Sequence, residues 1–88
     1  MNNSINTILV SQISMNTSDV HKRKKFLDAA WNMENKVSEK IFGKILQHFI
    51  KKYQEAPFPY LIPLPSEQDL QALAFIYSEE EKQLEGAP

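Results

Sequence analysis

The chain has no cysteine, only two glycines, and no apolar run approaching the roughly 18 residues of a membrane span. Without thiols, neither disulfides nor thiolate metal sites can staple the fold, and an intracellular, cytoplasmic setting is the expectation. No signal-peptide pattern opens the sequence. No Gly-rich phosphate loop, nucleophile elbow or calcium loop occurs. Two histidines, His21 and His48, stand far apart without metal-ligand spacing. These gaps point away from an enzyme and from any metal or other cofactor. What the 88 residues do hold is nine aromatic side chains, so the chain does not read as disordered. A chain of this length buries only about 60–65% of its unfolded surface, and a lone core is marginal.

The strongest pattern is Val37 to Tyr53, VSEKIFGKILQHFIKKY. Val37, Ile41, Ile45 and Phe49 form one apolar row, with His48 and Lys52 at its edge. Phe42, Leu46, Phe49, Ile50 and Tyr53 form a second row beside it. Together they make a face wider than the roughly 100° stripe of an ordinary surface helix. Such a face in so short a chain asks for a partner, most economically a second copy. Gly43 interrupts the helix at about 1 kcal/mol relative to Ala. That fits close approach of another helix, and equally a glycine that is simply tolerated.

Ahead of this helix, Asn16-Thr17-Ser18-Asp19 reads as a helix start with Asp19 at the positive end of the dipole. The helix from Asp19 to about Met33 places Val20, Phe26, Leu27, Ala30 and Met33 on one side and the run HKRKK on the other. Asn32 or Asn35, both tolerant of the left-handed conformation, ends it. Further upstream, TILVSQISM over Thr7 to Met15 combines β-branched residues with alternation and predicts a short strand. One strand is not a sheet. It either pairs with the strand of another copy or stays an unstructured arm.

Charge divides the chain. Residues 1–55 hold nine Lys and Arg against five acids, a balance of +4; residues 56–88 hold Lys82 against six acids, a balance of −5. Two surfaces with different partners would explain this, and so would two halves that pack on each other. The second half opens with APFPYLIPLP, four prolines in ten residues, which forces an extended strap along some surface. Ser66 and Asp69 then form a capping box for a last helix with Leu70, Leu73, Ala74, Tyr77 and Leu84 as its stripe.

The order of polar arm, short strand, capped helix, tight break and amphipathic helix resembles the ribbon-helix-helix DNA-binding family of the MetJ and Arc type. The resemblance spans about residues 7–53. It rests on DVHKRKKFLDAAW and on V-S-E-K-I-F-x-K-I-L-x-x-F-I, whose apolar offsets follow the family's second helix. The family's turn commonly holds Gly where this chain offers Asn32 or Asn35. The resemblance implies a mainly α, intertwined homodimer whose paired strands enter the major groove of double-stranded DNA. It implies base contacts from Val10, Gln12 and Ser14, of which only Gln12 can contact a base in bidentate fashion. It also implies phosphate contacts from Lys22, Arg23, Lys25, Lys36 and Ser38. The dimer interface would be Ile13, Ile41, Phe42, Ile45, Leu46 and Phe49.

Two functional classes follow. The first is a sequence-specific transcriptional regulator, such as an autoregulating antitoxin or a plasmid or phage repressor. The second is a non-enzymatic helical homodimer acting as a protein-binding adaptor or inhibitor. In either, residues 1–55 form the dimerising domain. Residues 56–88 then either bind a second protein through Phe58, Tyr60, Leu70, Leu73 and Tyr77 or fold back to complete the core.

Overall fold

The computed structural model describes residues 4–58 and 62–85. Their helices are α1 (Ser4–Ser14), α2 (Val20–Glu34), α3 (Glu39–Glu55) and α4 (Glu67–Glu85). The expected strand over residues 7–15 is not there; α1 occupies that stretch, so no ribbon forms. The mainly α expectation holds, the ribbon-helix-helix arrangement does not. Asn6, Val10, Ile13 and Ser14 are the buried positions of α1, spaced as one side of a helix. Thr7-Ile8-Leu9-Val10 is apolar enough to satisfy either period. Tertiary burial, not β propensity, decides between them.

The chain's own capping groups set the helix starts. Asp19 accepts from the amides of His21 and Lys22 at 2.9 and 3.2 Å. The backbone bond from Lys22 is the leading cause that holds its carboxyl below the usual range. Ser38 accepts from the Ile41 amide at 3.2 Å. Ser66 and Asp69 exchange hydrogen bonds at 3.0 and 3.1 Å, a complete capping box. At the end of α2, Asn35 lies in the right-handed region at φ −81° instead of the left-handed one, and its side-chain amide donates to the Trp31 carbonyl.

Each helix sends at least one fully buried side chain into a single core: Val10 and Ile13, then Phe26, then Phe42, Ile45 and Leu46, then Leu70. Around that core α1 neighbours α3 and α2, and α4 neighbours the same two, while α1 and α4 do not touch. Helix α1 runs parallel to α3. Asn6 donates to the Glu39 carbonyl, and ten residues on Asn16 lies beside Ile50 and Gln54. Helix α4 runs antiparallel to α3, since Glu81 bridges Lys40 and Lys44 while Asp69 lies near Tyr53 and Lys52.

This arrangement buries the residues of the expected interface without a second copy. Ile13, Ile41, Phe42, Ile45, Leu46 and Phe49 all lie inside one chain, under α1 and α4. The wide face of α3 is covered, so it no longer argues for a second copy. Gly43 lies against Asn6 of α1: a Cβ there would sit 3.1 Å from Asn6 Oδ1. The acidic last helix packs on the basic first half, with the Glu81 carboxylate 3.1 Å from Lys40 and 3.4 Å from Lys44. The hydrogen bond from Lys40, with Lys44 adding to it, holds that carboxyl below the usual glutamate range.

Candidate interaction surface

The residues expected to read bases fall on opposite sides of α1. Val10 is buried in the core, and Ser14 is buried with its hydroxyl donating to the Ser11 carbonyl at 2.8 Å. Gln12 alone is exposed. A strand would have aligned the three; a helix places Val10 and Ser14 one turn apart on the core side and turns Gln12 outward. The expected phosphate contacts also separate. Arg23 is bound to α1, donating through Nε to the Ser14 carbonyl at 3.2 Å and through Nη2 to the Thr17 carbonyl at 2.7 Å. Its cation sits at the negative end of the α1 dipole, which makes it a helix cap. Ser38 has its hydroxyl engaged as the cap of α3. Lys22, Lys25 and Lys36 are exposed.

Of the residues expected to bind a partner, Leu70 is fully buried and Leu73 and Tyr77 pack against the core. Phe58 is exposed, and Tyr60 lies outside the described residues. The chain at Pro63 is tied to α3: the Tyr53 hydroxyl donates to the Pro63 carbonyl at 3.0 Å. Burial, with the nearby Asp69 carboxylate adding to it, pushes the Tyr53 phenol up to about 12. Val20 and Leu84, read as core positions, are exposed.

Two depressions flank the strap. One, of about 300 Å³, gathers His48, Lys52, Tyr53 and Asp69. The other, of about 360 Å³, runs between α2 and residues 63–67 over Phe26 and Ala29. Lys22 and Lys25 on its walls are matched by Asp28 and Glu67, so its lining carries no net charge. Among the described residues no three His, Asp or Glu side chains gather as metal ligands. No helix among them is long and apolar enough to cross a membrane.

The surface that departs most from expectation is the outer side of α1. Ile5 and Ile8 are 68 and 55% exposed and Met15, one residue past the end of α1, 76%; with Gln12 they form one ridge at spacings of three, four and three residues. A helix apolar on two sides is ordinarily buried on both; α1 is buried on one. Sequence reasoning missed this ridge because a strand reading scatters its members over both faces. The signal was there: the ten basic and eleven acidic residues of the chain all lie from Asp19 onward. The other exposed apolar residues differ in setting. Phe75, Ile76 and Leu84 on α4 are interspersed with Glu79, Glu80, Lys82 and Glu85, the ordinary mixture of a solvated helix face. Comparison of the chain with family models, with curated proteins and with solved structures gave no match.

Proposed function

We propose that this protein is a protein-binding module whose docking surface is the outer ridge of α1. The observation that carries the reading is the two-sided apolar character of α1. Its inner side closes the core over α3, and its outer side presents Ile5, Ile8 and Met15 to water with no charged residue between them. Exposed apolar side chains grouped on one face and rimmed by polar residues are a usual mark of an interaction site. Caps and tertiary contacts hold α1 rigidly: Arg23 and Asn16 bind its last carbonyls, and Asn6 anchors its first turn to α3. A rigid ridge loses little entropy on binding.

The test is a benzophenone side chain placed at position 8, with the same group at Gln83 on α4 as control. Irradiation in the producing cells should give protein adducts from position 8 and few from position 83. Equal yields, or none at position 8, would defeat the reading.

A second reading, DNA binding, is favoured by one observation: Lys22 and Lys25 stand exposed near the start of α2. With Val10 and Ser14 inside the core, what these lysines support is phosphate contact of low sequence selectivity. A binding titration against random duplex at increasing salt measures it. A slope near zero in log affinity against log salt removes it.

A further inference from the structure

We infer that residues 79–85, the last two turns of α4, form an ionic latch that opens by itself while the core stays folded. Glu81 holds it shut on α3. The inference goes beyond the docking reading and does not depend on it.

Three observations converge on this segment. First, burial stops before it. Leu70 and Ala74 are the buried residues of α4, and Leu73 and Tyr77 pack against the core, whereas Leu84 is 68% exposed. A stretch with so few apolar contacts belongs to the low-stability end of a fold. Second, its charges work against its own helix. Glu79, Glu80, Glu81 and Glu85 crowd the negative end of the α4 dipole, with Lys82 as the one cation among them. Glu81 and Glu85, four residues apart, also repel each other. Third, the missing cations come from α3. The two Glu81 carboxylate oxygens lie 3.1 Å from Lys40 Nζ and 3.4 Å from Lys44 Nζ. Lys40 stands in the first turn of α3, where the dipole disfavours a bare cation and welcomes a carboxylate. One side chain thus relieves mismatched charge at two helix ends. Among the described residues, the bonds of Glu81 are the polar ties of this segment to another helix.

Opening the latch leaves Lys40 and Lys44 without their carboxylate. Both also line the depression of about 310 Å³ that holds Ile5 and Gly43. The latch therefore sets the charge at that end of α1.

Native-state hydrogen exchange of the full chain, followed by NMR, tests it. The amides of residues 82–85 should be exposed by a partial opening, at least about tenfold more frequent than the one exposing Phe42 and Leu46. Raising the salt from about 20 to 500 mM should increase that opening about threefold, the strength of an ion pair near the surface. An end that merely frays through its own repulsion responds in the opposite sense, because salt screens the repulsion. Charge removal draws the same distinction. Glu80→Gln relieves repulsion within α4 and should lower the opening slightly. Glu81→Gln relieves it too, yet unfastens the latch, and should raise the opening about threefold. Lys40→Gln, on an exposed position of the facing helix, should raise it likewise. Helical circular dichroism checks that each variant is folded.

Failure of either Glu81→Gln or Lys40→Gln to raise the opening overturns the inference. So does an opening that salt leaves unchanged or reduces, or protection at residues 82–85 equal to that at Phe42.

Discussion

The docking of α1 on α3 can be tested at one contact, Asn6 over Gly43. Replacing Gly43 with Ala inside α3 should by helix propensity alone stabilise the protein by about 1 kcal/mol. The added Cβ, however, would lie 3.1 Å from Asn6 Oδ1, closer than such contacts normally come. Asn6 cannot easily yield. It is only 4% exposed, and its amide donates to the Glu39 carbonyl at 3.1 Å. Displacing it breaks that bond and strands a buried amide, at a cost of about 1–3 kcal/mol. Gly43→Ala in the wild-type background is therefore expected to destabilise by about 1 kcal/mol net. In an Asn6→Ala background the obstacle is gone, and the same substitution should stabilise by about 1 kcal/mol. The coupling between the two sites is then on the order of 2 kcal/mol. Urea unfolding of the four proteins, followed by helical circular dichroism and by the single Trp31, measures each corner of the cycle. If Gly43→Ala has the same effect in both backgrounds to within about 0.5 kcal/mol, Asn6 does not lie over Gly43. The parallel seating of α1 on α3 would then be wrong.

Three further outcomes follow from the same packing. Truncation to residues 1–55 removes fully buried Leu70 with Ala74, Leu73 and Tyr77, so the remaining piece should lose cooperative thermal melting; a sharp transition near that of the full chain would contradict the core as described. Tyr53 stays neutral in the fold up to about pH 12, whereas in the unfolded chain it ionises near 10. Its contribution is complete below pH 10 and is lost as pH rises from there towards 12, on the order of 2 kcal/mol; Tyr53→Phe should flatten that alkaline decline. Glu81 runs the other way: its carboxyl is held below the usual 4.5, so the bridge to Lys40 and Lys44 contributes above that value and fades as pH falls through the lowered one. Glu81→Gln should thus lower the melting temperature slightly at pH 7 and low salt, with the difference shrinking as pH falls and in 1 M salt.

The three C-terminal helices were legible because their signals are local. Asp19, Ser38 and the Ser66–Asp69 pair cap α2, α3 and α4, and the apolar rows of α3 repeat over several turns. A cap names one residue, and a long period leaves little room for another assignment. Proline density likewise marked the non-helical stretches at 56–58 and 62–65, the rest of the expected strap lying outside the described residues. Arg23 was legible as a cation but not as a cap, since its partners, the carbonyls of Ser14 and Thr17, exist as a target only after α1 ends there. Asn6 and Gly43 were illegible as a pair for the same reason: they are 37 residues apart, and nothing local links them.

The strand reading and the argument for a second copy from the width of α3 were one inference, not two. Once residues 7–15 are drawn as a strand, α3 loses the helix that covers its Gly43–Ile50 side, and its width demands a second chain. Restoring α1 removes that demand, because Val10 and Ile13 supply the missing core. The apolar excess does not vanish with it. The first eighteen residues carry no charge and more apolar side chains than one helix face can hold, so covering α3 with one side of α1 leaves Ile5, Ile8 and Met15 on the other. The surplus that seemed to belong to α3 has moved one layer outward. An α1 with Lys or Glu at positions 5, 8 and 15 would close the core equally well, since none of the three is buried. The apolar ridge is therefore not required by the core of its own chain, and it is the surface on which the proposed docking rests.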